Sequence, residues 1–316
     1  RKIIQYDQNC FSISEKYVYL PKSNSSCIQN NYEYFVKLDF GKDSNRIDNF
    51  GNISNPKVII LGDSHGMGWG VSEDNIFTSE INNNGFSSLN FSVSSFGTAR
   101  ELLRFREWLG ENQSMAQEIK TIIIQYCEND HSENKEFLKK RSLFKNPPDL
   151  KLNKYKTNLG KENKYHLSYE GKINPKFYPL IIKKFYSSLF KKITRKINSI
   201  LHPKKEYLGI KKADVEHAIT FFSVLDNFSD LLKDKKLIIF VSNGYGYGNK
   251  EISQEFKNYI NMNLNDNFKS IEIMQTSETS LHADSDSYFI IDDHISDLGH
   301  KRLGKAILNR LKKHKK

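Results

Sequence analysis

Cysteine is scarce in this chain: Cys10, Cys27 and Cys127 are the three among 316 residues. No Cys/His cluster has the spacing of a zinc site, and no glycine-rich stretch has that of a nucleotide-phosphate loop, so neither a metal nor a cofactor is expected. Cys127 closes an apolar run and reads as a buried free thiol. Cys10 and Cys27 flank a polar segment and can pair in an oxidising compartment, a choice the sequence leaves open. An apolar run of membrane-spanning length is also missing, which excludes a transmembrane helix within these residues. Internal repeats and long low-complexity tracts are absent. The chain starts at Arg1 instead of Met, and the expectation is that a signal or anchor preceded it.

Acidic residues are thin in one region only. The net charge is +11, yet residues 131–210 hold 20 Lys/Arg against 6 Asp/Glu, so the remainder is close to neutral. The basicity therefore belongs to one stretch and not to the whole fold. A hydrophobic content of 38% and a mean hydropathy of −0.61 sit at the polar end of globular proteins. The length suits one large α/β domain or two small ones.

What is present begins at Val58, where strand–helix alternation predicts a parallel sheet. Strands are expected over 58–63, 89–93, 121–127, 236–242 and 270–275. Helices are expected near 73–83, from a Thr98-x-x-Glu101 capping box to about 109, then over 213–233, 251–263 and 296–312. Strand-like patches at 17–20 and 34–38 mark an N-terminal extension packed on the core. Gly62-Asp63-Ser64-His65 follows the apolar run 58–61 and puts a serine at the tip of a buried strand, where open α/β sheets gather ligands. Far downstream, Asp292-Asp293-His294 offers a carboxylate and an imidazole two residues apart. Serine, histidine and aspartate are the parts of an activated oxygen nucleophile.

These residues resemble the SGNH (GDSL-like) hydrolases. The first block matches Gly62-Asp63-Ser64, the second resembles the run from Asn90 to Thr98, the third Glu128-Asn129-Asp130, and the last Asp292-Asp293-His294. The run from Asn45 to Gly51 and residues 66–71 look like envelope-associated members. The resemblance implies a flavodoxin-like three-layer α/β/α sandwich with a parallel sheet, and esterase, lipase or carbohydrate O-acetyl transfer activity. It implies Ser64 as nucleophile, His294 as general base and Asp292 as the triad acid, with Asp293 as the alternative. Asn129 would be a side-chain oxyanion donor beside the backbone N–H groups of Ser64 and of Ser95 or Gly97. Counting from Asn90, the family's usual glycine falls on Ser95, with Gly97 two residues later, so that donor is ambiguous.

The division expected is 1–50 as the extension, 51–130 and 213–316 as the two halves of the hydrolase domain, and 131–212 as a basic, partly helical insert. Within it, apolar residues at 182, 185, 189, 193, 197 and 200 alternate with Lys and Arg, an amphipathic basic helix. The plain reading is a lid helix packed on the core. The sharper readings give residues 177–201 an anionic membrane surface or an acidic polysaccharide as partner, while no module for nucleic acid is present. Asp63 is expected to hold the turn, His65 to point away from the chemistry, His300 to pack, and Gly244 to Gly248 to form a plain loop. The function expected is a serine esterase or O-acyl transferase acting on a cell-envelope carbohydrate, exported and membrane-anchored or free. A membrane-recruited lipase or lysophospholipase is the alternative, and a non-catalytic glycan-binding module the alternative of another class.

Overall fold

The computed structural model describes residues 9–14, 16–30, 33–140, 178–201, 203–242, 252–264, 268–281, 286–289, 292 and 294–313. Asp293 and the Gly244 to Gly248 loop lie outside them. Two antiparallel hairpins come first, β1 (Phe11–Ser14) with β2 (Val18–Pro21), and β3 (Ser25–Asn30) with β4 (Phe35–Phe40). A sheet follows of β5 (Val58–Leu61), β6 (Ser88–Asn90), β7 (Thr121–Tyr126), β8 (Lys236–Val241) and β9 (Ser270–Met274). All its pairings are parallel, in the order β6-β5-β7-β8-β9. This is the doubly wound order whose switch point flanks the first strand.

The helices are α1 (Ser64–Met67), α2 (Phe77–Asn83), α3 (Thr98–Glu111), α4 (Asp130–Lys140), α5 (Tyr178–Leu201), α6 (Pro203–Asn227), α7 (Ser229–Leu232), α8 (Ile252–Asn263), α9 (Thr276–Thr279) and α10 (Asp297–Lys312). Alternate strand residues feed opposite layers, as the two-residue pleat requires. Ile59, Leu61, Ile122, Ile124, Leu237 and Ile239 pack with Phe105 of α3, Phe221 of α6 and Phe256 of α8. Val58, Ile60, Ile123, Ile238 and Phe240 pack with Phe77 of α2 and Leu303 and Ile307 of α10. The result is a three-layer α/β/α sandwich, the fold that the SGNH resemblance implies. A third apolar cluster joins the hairpins to the active edge, with Tyr19, Tyr34 and Phe40 against Met67, Trp69 and Phe96. Cys10 and Cys27 form a disulfide there, and Cys127 is a buried free thiol.

Several predicted boundaries move. Strand β5 stops at Leu61 because Gly62-Asp63 turns the chain, and α2 starts at Phe77, four residues later than expected. Helix α6 begins at Pro203, across the expected boundary at 212; proline is tolerated at a helix's first position, where its missing N–H has no partner to lose. The expected capping box is not used. Gly97 takes the N-cap position of α3, which shifts Glu101 one place into the helix, where it is buried with neither oxygen hydrogen-bonded. The free N–H groups of α3 are met from α4 instead: Glu133 Oε1 accepts from Gly97 N at 3.2 Å and Asn134 Oδ1 from Ala99 N at 3.0 Å. Phe137 of α4 is buried in the core against Phe228. Asn134 and Phe137 of α4 therefore face the core, while Ser132, Lys135, Glu136 and Lys139 stay exposed.

In α5, Ile182, Leu189, Ile193, Ile197 and Ile200 are all exposed, and the helix contacts α6.

Candidate active site

The turn after β5 is held by one buried side chain. Gln125, in the middle of β7, accepts with Oε1 from Asp63 N at 2.7 Å and Gly66 N at 3.2 Å. Its amide donates to Ser242 Oγ at 2.9 Å, at the end of β8. A Cβ at position 62 would stand 2.7 Å from Gln125 Oε1 and 2.9 Å from its Cβ, so only glycine lets the turn sit this close to β7. Asp63 is the N-cap of α1 and accepts from His65 N at 2.8 Å. Ser64 is thereby fixed as the first residue of a short helix above the switch point.

The structure brings Ser64, His294 and Asp292 together. His294 Nε2 lies 2.7 Å from Ser64 Oγ, and His294 Nδ1 is hydrogen-bonded to Asp292 Oδ1. All three side chains are buried. Burial opposes ionisation of Asp292, but the hydrogen bond and charge of His294, with Tyr34, outweigh it and hold the carboxyl well below its ordinary range. An ionised Asp292 fixes the tautomer with the proton on Nδ1, leaving Nε2 to accept from the serine hydroxyl.

The N-terminal hairpins supply part of this arrangement. Tyr34 donates its hydroxyl to Asp292 Oδ2 at 2.8 Å and accepts from Trp69 Nε1 at 2.8 Å. Glu33 Oε2 accepts from Asp292 N at 2.6 Å. The Trp69 indole stacks on the His294 ring, with centroids 5.5 Å apart. Gly70, at φ +78°, leaves room for Tyr34, whose ring carbons would lie 2.6 Å from a Cβ there. Sequence reasoning missed Gln125, Tyr34 and Trp69. Gln125 had one signal, a polar residue in an otherwise apolar strand; Tyr34 had none, because its partner is 258 residues away.

The two backbone candidates, Ser95 and Gly97, stand in different surroundings. The Gly97 N–H is taken by Glu133. Ser95 has φ +60°, the left-handed conformation that normally selects glycine, and its N–H makes no hydrogen bond within the described residues. Asn129 is exposed at the end of β7, and its amide donates to Asp63 Oδ2 at 3.1 Å. An amide nitrogen carries two hydrogens, so one N–H orients the group on Asp63 and the other is left for a ligand. Asp63 therefore does more than hold the turn.

Other sequence candidates are placed plainly. His65 is buried with its ring 5.0 Å from that of His294 and edge-on to Tyr288. His300 is fully buried, stacks on Phe77, and accepts weakly from Phe77 N; burial lowers its pKa to about 3, so it is neutral. Asp63, His65 and Cys127 have ligand-type atoms within 4.8 Å of one another, but both Asp63 oxygens already accept hydrogen bonds and the trio packs as part of the turn. Behind it, burial and then neighbouring carboxylates push Glu101 and Asp130 well above the ordinary range, favouring their neutral forms.

Fold and site together define a class: a doubly wound α/β/α sandwich with a hydrogen-bonded Ser–His–Asp chain at its switch point. No protein-family model matches the chain, and no curated protein matches it. Among solved structures it is similar to the crystal structure of TesA, at 10% identity and a TM-score of 0.36, over 81% of this chain and 98% of that one. It is also similar to the acetyl xylan esterase Est2A from the rumen bacterium Butyrivibrio proteoclasticus, at 11% identity and a TM-score of 0.38, over 83% of this chain and 64% of that one. These are distant likenesses, and the site's chemistry rests on its own geometry.

Proposed function

We propose that the protein is an SGNH-type serine esterase or O-acyl transferase acting on an ester, chiefly O-acetyl, of a cell-envelope carbohydrate. The observation that carries this reading is the unbroken chain from Ser64 Oγ through His294 to Asp292. Ser64 attacks the acyl carbonyl as His294 Nε2 takes its proton, and Asp292 stabilises the imidazolium. The oxyanion is met by the N–H groups of Ser64 and Ser95 and the second amide N–H of Asn129, each worth about 3–4 kcal/mol of barrier. The imidazolium then protonates the leaving alkoxide, which departs and leaves an acyl-serine. Water or a sugar hydroxyl, deprotonated by His294, attacks that ester and regenerates Ser64. Hydrolysis and transfer use the same groups and differ in how the site excludes water and seats an acceptor. The Cys10–Cys27 disulfide supports an exported, envelope setting. The exposed apolar face of α5 favours a second reading, in which the ester is that of a membrane lipid.

The test is incubation with p-nitrophenyl acetate, with and without short sugar acceptors, followed by mass spectrometry of wild type and Ser64→Ala. Nitrophenol release with a transient acetyl adduct on Ser64 is expected, and acetylated acceptor distinguishes transfer from hydrolysis. Phospholipid cleavage without sugar-ester turnover selects the lipid reading. Neither turnover nor adduct with any of these donors, from folded protein, sinks the enzyme reading in favour of a glycan-binding module.

A further inference from the structure

Helix α5 carries an apolar stripe that nothing among the described residues covers. Ile182, Leu189, Ile193, Ile197 and Ile200 lie on one face of a 24-residue helix and are 42–69% exposed. At a rise of about 1.5 Å per residue the stripe runs for roughly 27 Å. Phe190, 71% exposed, borders it. The same helix contains Lys183, Lys184, Lys191, Lys192, Arg195 and Lys196 and no acidic residue. Helical register places Lys183 at one edge of the stripe and Lys192 and Lys196 at the other.

We propose that α5 lies in the plane of an anionic lipid surface, with its stripe among the acyl chains and its cations at the headgroups. Three candidate partners compete for this face, and charge separates them. A second copy of α5 would bring six like charges against six with no carboxylate to pair them, which disfavours a helix dimer. An acidic polysaccharide would satisfy the cations yet leave the stripe in water. An anionic bilayer takes both halves of the helix at once, the apolar face by burial and the basic flanks by Coulomb attraction. No described helix is long and apolar enough to cross a membrane, so the association is peripheral. It does not depend on what Ser64 does.

The experiment is flotation of the whole chain with phosphatidylcholine vesicles, with and without an equal part of phosphatidylglycerol. Wild type is expected to float with the anionic vesicles and not with the neutral ones, and salt should release it by screening. The double variant Ile193→Ser/Ile197→Ser, which leaves the charge unchanged, is expected to lose about tenfold or more in vesicle affinity. Both side chains are exposed, so its thermal unfolding should match wild type, which separates lost docking from lost fold. No flotation with anionic vesicles overturns the proposal. So does flotation that the double variant leaves intact, since the stripe would then be idle and charge alone responsible. A concentration-dependent dimer dissolved by the double variant, with no vesicle binding, assigns the face to a second copy and also overturns it.

Discussion

Helices α10 and α5 carry the same kind of pattern and meet opposite fates. In α10, Leu303, Ile307 and Leu311 recur at four-residue steps and are buried against α2 and the sheet. In α5 a stripe of similar spacing stays open. Periodicity reports that a helix has an apolar face; it does not report whether this chain or something else covers it. The ends of the two helices show why the fates differ. Ser296 caps α10 through Gly299 N, and the strand-like turn before it pairs Tyr288 with Ile295. That places α10 immediately after His294, so its packing also sets the height of the imidazole over Ser64. Among the described residues no corresponding tie runs from the sheet edge to α5.

The sharpest way to break this comparison is chemical. Ser64→Ala and His294→Ala should each lower esterase turnover by about three to four orders of magnitude, while thermal unfolding changes little; activity retained by either variant would detach the buried edge from function. Stability comes next. Leu303→Ala should destabilise the protein by about 2–5 kcal/mol through a cavity in the core, whereas Ile193→Ala should change denaturant unfolding by no more than about 0.5 kcal/mol. Equal losses would mean that α5 is covered after all.

A smaller effect is expected where the hairpins meet the triad. Tyr34→Phe removes the donor to Asp292 Oδ2 and should lower kcat about tenfold with KM nearly unchanged. An unaltered kcat would make Tyr34 a packing residue only.

The smallest effect is a pH slope. His300 has its folded pKa lowered by burial to about 3 from 6.5, so between these values the unfolded chain binds a proton that the native state refuses. The neutral histidine is compatible with folding at pH 7, and stability is lost as pH falls below 6.5 and on toward 3. His300→Gln should show a shallower decline of unfolding free energy over that window, read by urea titration at stepped pH. Parallel curves would contradict the buried neutral imidazole.

Much of the active edge was legible in the chain because its parts are local. A glycine that only a close turn requires, a serine at a strand end, and Asp-x-His before a capped helix each announce themselves within a few residues. The strand–helix alternation likewise foretold the five parallel strands, though not their order in the sheet. What was not legible depends on contacts between distant segments. Glu101 looked like a capping partner for Thr98, but α4 reached the helix end first and left Glu101 in the core. Gly97 looked as eligible as Ser95 until Glu133 claimed its N–H. Tyr34 and Gln125 were invisible as site residues, since nothing in a tyrosine between two strands or a glutamine within one states what stands opposite.

The sequence by itself determined the sheet, the candidate nucleophile and base, and the amphipathic nature of α5, because hydrophobic period and turn chemistry act over one or two turns of chain. Only the tertiary structure decided that Glu133 takes the Gly97 N–H, that Tyr34 bonds Asp292, and that Leu303 and Ile307 of α10 are buried while Ile193 and Ile197 of α5 are exposed. Those outcomes turn on competition among distant donors, acceptors and apolar faces for the same space, and such competition exists only once the chain has folded.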